Sequence, residues 1–183
     1  MTRHPLPLAG AFILETQPHE DDRGMFSRLF CHNDLQDLLD GKQILQINHS
    51  LTRHKGALRG MHFQRPPQAE IKIVTCLAGS VFDVIIDIRQ NSPTFLQWHG
   101  VRLSPDNRKL IFIPDGFAHG FQTLEENSEL LYLHTAFYSP DHEGAIHYND
   151  PLVDVKWPLN ITNISEKDEA CPYLNKNHLN ILL

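Results

Sequence analysis

Cysteine is scarce in this chain: Cys31, Cys76 and Cys171 are the only three, and no two share a CxxC spacing. An odd, scattered set builds neither a disulfide framework nor a zinc knuckle, and it suits a reducing cytoplasm. Cations are also short, with 16 Lys and Arg against 22 Asp and Glu and a net charge of -6. That balance excludes a broad nucleic-acid or membrane surface, which needs clustered excess basic residues. An anionic ligand would have to be met by local cations. Long apolar runs are missing too, and nothing approaches the stretch of about 18 to 20 residues that spans a membrane. The segment from Leu6 to Leu14 is the nearest to a signal core, but Pro7 and Gly10 interrupt it, and Glu15-Thr16-Gln17-Pro18 offers no small-residue cleavage site. It reads as an approach loop and first strand. No internal repeat or low-complexity tract is visible.

What is present is ordinary globular material. The 183 residues are 41% hydrophobic and 21% charged, enough to bury a continuous core in one domain spanning residues 1–183. Helical periodicity is clear only from Asn33 to Asp40, where Leu35, Leu38 and Leu39 share a face, Asn33 can cap and Gly41 supplies a stop. The centre reads as short strands: Gln46–Ser50, Ala57–Gln64, Glu70–Leu77, Ser80–Arg89, Phe95–Leu103, Lys109–Ile113, Phe117–Thr123 and Glu129–Tyr138, separated by turn clusters such as Asn91-Ser92-Pro93 and Pro114-Asp115-Gly116. Eight or so strands at this spacing predict a sandwich, jelly roll or barrel. The tail from Ser139 is rich in Pro, Asp and Asn, carries a weak helical turn at Ser165–Ala170, and is predicted to pack over the barrel.

Alternation then sorts the polar residues by face. Gln46, Asn48 and Ser50 fall on one side of their strand and Leu45, Ile47 and Leu51 on the other. The polar side is either solvent-exposed or the lining of a cavity. Arg59 and His62 are three apart, so a regular pleat would oppose them, but Gly60 can host a bulge that turns both inward. With Lys72 on the next strand and His119 after the Pro114-Asp115-Gly116 turn, they make a barrel mouth of imidazole and cations that suits an anionic ligand. In Glu129–Tyr138, Leu131, Leu133, Thr135 and Phe137 read as a core face. The opposite face pairs Tyr132 and Tyr138 with His134, and structure and function explain it equally well.

Several strings, in order, resemble one family. They are Asp22-Arg23-Gly24, Gln46-Ile47-Asn48-His49-Ser50, Leu58-Arg59-Gly60-Met61-His62-Phe63-Gln64, Val81-Phe82-Asp83-Val84, the run from Asp87 to Thr94, the run from Ile113 to Phe121, and Ser165-Glu166-Lys167-Asp168. Each is weak alone, but the ordered set, over roughly residues 10 to 175, resembles the dTDP-4-dehydrorhamnose 3,5-epimerases. The resemblance implies an all-β, cupin-type jelly-roll barrel with a few short helices, no cofactor and no required metal. It also implies a homodimer whose N-terminal segment reaches into the partner's site, and a nucleotide-sugar substrate. It makes His62 the general base, Asp168 its acidic partner and Tyr132 the proton donor. Lys72 and Arg59 become oxyanion and sugar contacts. His119 with Gln46, Ile47 and Asn48 becomes a substrate-binding set, Glu143 and Lys167 further binding positions, Tyr138 the residue that stacks on the base, and Arg23 and Phe26 the cross-dimer contacts.

The chain departs from the family pattern at three places. Met61-His62-Phe63 replaces Leu-His-Tyr, and Thr135-Ala136-Phe137-Tyr138 replaces Thr-Asp-Tyr-Tyr; both leave the catalytic set intact. Arg28 stands where the family has Glu, reversing a charge at a ligand-facing position. A Glu can accept the N3–H of thymine, whereas Arg only donates. The implied chemistry is epimerisation at C3 and C5 of a 4-keto-6-deoxyhexose by proton abstraction next to the ketone. An imidazole is well matched to that task at neutral pH. The competing expectations are an epimerase acting at one carbon or a ketoisomerase, including on a CDP-linked sugar; a metal-dependent cupin using His62, Glu70 and His119; and a sugar-binding module without catalysis. Gln64, where a metal cupin would carry a second His, argues against the metal reading.

Overall fold

The computed structural model describes residues 1–175. Its strands are β1 (Thr2–Pro5), β2 (Phe12–Glu15), β3 (His19–Asp21), β4 (Gly24–Phe26), β5 (Gln46–Thr52), β6 (Leu58–Gln64), β7 (Lys72–Ala78), β8 (Val81–Asp87), β9 (Trp98–Leu103), β10 (Lys109–Ile113), β11 (Phe117–Thr123), β12 (Ser128–His134) and β13 (Glu143–Ala145). Two short helices, α1 (His32–Leu39) and α2 (Glu166–Glu169), complete the regular structure together with a single 3-10 turn at Pro140–His142. Six strands form one antiparallel sheet in the order β1-β2-β10-β7-β12-β5, five form a second in the order β13-β6-β11-β8-β9, and β3 and β4 make a separate hairpin. This is the predicted all-β jelly roll with few short helices. Among the described residues no helix is long and apolar enough to cross a membrane.

The two sheets face each other over a shared core. Ile13, Val74, Cys76, Ile111 and Leu130 from the six-stranded sheet meet Val81, Ile85, Leu103, Phe117 and Phe121 from the five-stranded one, all of them buried. Burying an aliphatic side chain of this size contributes about 1.5 to 3 kcal/mol relative to exposing it, so this layer sets the sheet pairing. The outer faces are also covered. Leu35 and Leu39 of α1 pack with Leu14, Ile73, Leu110, Phe112 and Leu133 outside the larger sheet. Ile146, Val153 and Val155 of the tail pack with Met61, Phe63, Val84 and Ile86 outside the smaller one. Leu133 therefore belongs to a core face, but the one beneath α1, while Leu130 and Tyr132 look into the space between the sheets.

Several predicted boundaries shift. The helix begins at His32 with Cys31 at its cap position and no side-chain cap bond, so Asn33 lies inside the first turn. Its end is a left-handed turn at Asp40 and Gly41, where φ is 47° and 75°. The strand predicted to Tyr138 stops at His134, after which the chain leaves the sheet and Phe137 and Tyr138 become exposed. The very short β1, β3, β4 and β13 give no alternation long enough to detect.

The bulge at Gly60 is where sequence and register agree. His119 pairs with His62 and Phe121 with Arg59, so three steps on β6 oppose two on β11. Gly60 has φ +130°, and a Cβ there would lie 2.6 Å from the Gly120 Cα. No other residue fits that backbone, and the extra step turns both Arg59 and His62 toward one cavity.

Candidate active site

The inward face of each long strand changes character along its length. β12 runs Leu130, Tyr132, His134, and β7, running the opposite way, reads Cys76, Val74, Lys72 toward the same end. The apolar ends close the core, while the polar ends open into a cavity of about 440 Å³. Its walls include Arg59, His62, His119 and Phe121 from the five-stranded sheet and Asn48, Ser50, Lys72, Tyr132 and His134 from the six-stranded one, with the buried Asp168 beside His62 and with Tyr138, Glu143 and Lys167 at the rim. Most of the residues singled out from sequence therefore converge. Gln46 joins through its side chain, which donates to Asn48 Oδ1 at 3.1 Å. Ile47 faces the other way and is 62% exposed. Arg23 and Phe26 lie on the β3–β4 hairpin, Arg23 paired with Asp21 and Phe26 exposed. Arg28 sits 3.6 Å from Asp34 Oδ2, outside the cavity lining.

On the five-stranded side, His62 Nε2 lies 2.7 Å from Asp168 Oδ1. Asp168 is set by the cap of α2, where its backbone N–H donates to Ser165 Oγ at 3.1 Å, and its second oxygen accepts from the Gly60 N–H at 3.3 Å. Burial alone would raise this carboxyl. The hydrogen bond from His62, the imidazole charge, the Gly60 amide and Ser165 outweigh burial and hold it below the ordinary carboxylate value. An ionised Asp168 accepts, so His62 Nε2 donates and Nδ1 is left as the basic nitrogen. His119 is arranged in parallel, its Nε2 2.9 Å from Oδ2 of the fully buried Asp83.

The depressed Asp168 carboxyl has a stability consequence. A group whose folded pKa lies below its unfolded value contributes stability above the unfolded value, about 3.9 for Asp, and loses it as pH falls through the folded value. Wild type should therefore lose more urea resistance between pH 7 and pH 3 than Asp168→Asn does. Equal losses in both proteins would contradict the geometry at the α2 cap.

Across the cavity, the Tyr132 hydroxyl is 3.1 Å from Ser50 Oγ, and its ring lies edge-on to His119 and parallel to His134. Burial raises its pKa further above the ordinary phenol value, so Tyr132 is a neutral proton carrier at neutral pH. Lys72 Nζ is 3.3 Å from Glu70 Oε1, and Glu70 Oε2 is 2.8 Å from His134 Nδ1. Burial pushes the Glu70 carboxyl up, but the hydrogen bond from His134 and the charge of Lys72 bring it below its ordinary value. Arg59 Nε donates to Thr52 Oγ1 at 3.0 Å. At the rim, Lys167 Nζ donates to Glu143 at 2.8 Å and the Tyr138 hydroxyl donates to the same carboxylate at 3.0 Å.

From sequence, Ser50 and His134 stay open between structure and site, Asp83 has no assigned role, and Glu70 enters only as a metal ligand. The three residues of that metal reading are engaged separately: His62 with Asp168, His119 with Asp83, and Glu70 with Lys72 and His134. Among the described residues no group of three or more His, Cys, Asp or Glu is arranged to hold a metal ion.

Known proteins match this chain over nearly its whole length. Residues 5–176 fit the family model of dTDP-4-dehydrorhamnose 3,5-epimerase. The dTDP-4-dehydrorhamnose 3,5-epimerase of Salmonella typhimurium is 45% identical over 166 residues, 90% of each chain. The dTDP-6-deoxy-D-glucose-3,5-epimerase of Legionella pneumophila, solved with dTDP-4-keto-L-rhamnose, has a TM-score of 0.92 at 39% identity and covers 99% of this chain and 96% of that one. A 3'-monoepimerase from Streptomyces bikiniensis, solved with dTDP-quinovose, has a TM-score of 0.89 at 31% identity over 98% of this chain and 91% of its own. The chain belongs to the dTDP-4-dehydrorhamnose 3,5-epimerase family and is an isomerase of that type.

Proposed function

We propose that this enzyme epimerises C3 and C5 of dTDP-4-keto-6-deoxy-D-glucose to give dTDP-4-keto-L-rhamnose. The observation that carries the reading is the opposition of two proton carriers: His62 on the five-stranded sheet and Tyr132 on the six-stranded sheet, across one cavity. Inversion of a carbon needs a proton taken from one face of the ring and returned to the other, and a sugar held between the sheets presents one face to each residue. A ketone acidifies the hydrogens on its two neighbouring carbons, and C3 and C5 both flank C4.

His62, oriented by Asp168, takes the proton. The C–H electron pair moves into the ring bond while charge develops on the C4 oxygen. Lys72 and Arg59 are the wall cations suited to stabilise that enolate. Tyr132 then gives its proton to the carbon from the opposite side. Both groups re-equilibrate with solvent before the second carbon reacts. Tyr138 at the rim offers an aromatic face to the nucleotide base, with Lys167 as a cation for the diphosphate. The 45% identity to a double epimerase, against 31% to the monoepimerase, supports action at both carbons. Following the ring-proton couplings of dTDP-4-keto-6-deoxy-D-glucose by NMR should reveal the L-rhamno product, with a chelator making no difference. Binding without conversion would reduce the chain to a sugar-binding module.

The site is completed across a homodimer in this reading. Ile47 and Leu51 on β5, at the edge of the six-stranded sheet, and Leu45 just before it are exposed apolar side chains, and Met25 and Phe26 are exposed on the β3–β4 hairpin. An open sheet edge carrying apolar side chains is a surface that favours a partner. The hairpin that carries Arg23 and Phe26 would then reach the neighbouring cavity. Arg23→Ala and His62→Ala should each be nearly inactive alone. Their equimolar mixture after subunit exchange should recover about a quarter of wild-type activity, since half the dimers are mixed and each holds one intact site. No recovery in a mixture proven to exchange would make each chain self-sufficient.

A further inference from the structure

Between Tyr138 and Lys72 the six-stranded wall carries four polar side chains that the mechanism above leaves unused, Gln46, Asn48, His134 and Glu70, and the hydrogen bonds that join them have a defined direction. The backbone N–H of Tyr138 can only donate, and its acceptor is Gln46 Oε1 at 3.1 Å. The other end of that amide, Nε2, therefore donates, and its acceptor is Asn48 Oδ1 at 3.1 Å. Asn48 Nδ2 is left facing His134 Nε2 at 3.3 Å. An NH2 group has only hydrogens to offer, so His134 Nε2 holds a lone pair and the ring proton is on Nδ1. That proton points at Glu70 Oε2, 2.8 Å away, and the second oxygen of Glu70 is 3.3 Å from Lys72 Nζ. From Tyr138 to Glu70 each hydrogen bond sets the direction of the next, and the ion pair with Lys72 closes the line.

We propose that His134 and Glu70 are positioning residues, held by this one-way chain with His134 neutral and protonated on Nδ1, so that the Glu70 carboxylate anchors the Lys72 ammonium at the cavity wall. The inference rests on the reading of Lys72 as the cation that meets the C4 oxygen. The register supports it: β12 lies between β5 and β7, with His134 opposite Gln46 on one side and Lys72 on the other. His134 is 9% exposed, and its ring lies parallel to that of Tyr132, with centroids 6.0 Å apart and planes at 19°. One buried imidazole thus backs the acid's ring and, through Glu70, fixes the oxyanion cation.

The charged groups facing His134 are Glu70 and Lys72 on the β7 side. β5 presents only the amides of Gln46 and Asn48, and its own strand presents Tyr132. A second proton on His134 would set Nε2–H against the Asn48 NH2 and break the chain at its middle. The same chain ties the Tyr138 backbone at the rim to Lys72 in the wall.

The direct test is spectroscopic and needs no substrate. In ligand-free protein labelled with 15N-histidine, His134 should give the neutral Nδ1–H pattern across neutral pH, its signals assigned by their loss in His134→Gln. Asn48→Asp, nearly isosteric, replaces the NH2 by an oxygen that only accepts, and should convert His134 to the imidazolium. An Nε2–H or doubly protonated ring in wild type, or no change in Asn48→Asp, would overturn the proposal. Kinetics test the positioning role: Glu70→Gln keeps an acceptor for His134 but turns an amide NH2 toward Lys72. It should lower kcat about tenfold or more with KM within about twofold, as expected when a transition-state contact is displaced. A wild-type kcat in Glu70→Gln would remove the role. The spectrum is read without substrate, so it stands or falls separately from the epimerase reading itself.

Discussion

His62→Asn is expected to lose epimerisation and C–H exchange together, by about a thousandfold or more, or about 4 kcal/mol in the barrier. The asparagine amide keeps the size and a donor for Asp168, so the wall, the α2 cap and the Gly60 bulge should stay in place. What it cannot do is take a proton from carbon at neutral pH. Affinity for dTDP should be nearly unchanged, because the nucleotide contacts proposed for Tyr138 and Lys167 lie at the rim. Loss in kcat without loss of ligand binding is the signature of an interaction made only in the transition state. If His62→Asn still washes deuterium from labelled substrate at close to the wild-type rate, the base is another residue.

Tyr132→Phe should split what His62→Asn removes as a unit. The substitution deletes one hydroxyl and its 3.1 Å contact with Ser50 while keeping the ring against His119 and His134. His62 can still take the proton and return it to the same face, so exchange continues while inversion stalls. Completed epimerisation should fall by about a hundredfold or more, the usual contribution of a placed general acid, with exchange falling far less. Equal losses in the two rates would mean that the hydroxyl holds structure and delivers no proton.

Local rules carry some of this site and fail at an identifiable point. Alternation assigns Asn48 and Ser50 to one face and Tyr132 and His134 to one face, because side-chain direction in a strand depends only on near neighbours. The Gly60 bulge is readable because a glycine between two polar strand residues is a local signal. The pairings that complete the wall are not local. Glu70 meets His134 across 64 positions, and Asn48 meets it across 86. Those contacts depend on which strands are neighbours and in what register, and periodicity within a strand carries neither. The exposed Ile47 is instructive in the same way: alternation turns it away from Asn48, the resemblance makes it a substrate contact, and it does not line this cavity; no pattern within β5 says that the strand lies at a sheet edge. Asn33 fails for a smaller reason. A good capping residue near a helix start marks the region, while the turn itself begins one residue earlier, at His32.

In the proposed reaction, protons leave and return at both carbons beside the ketone. Turning over dTDP-4-keto-6-deoxy-D-glucose in deuterated water and locating the label by NMR tests this most directly. Solvent supplies every returned proton, so the product should carry deuterium at both C3 and C5, with both centres inverted. Deuterium at one carbon alone, with the other centre unchanged, would contradict double epimerisation, and an inverted product without deuterium would contradict the proton-transfer mechanism itself.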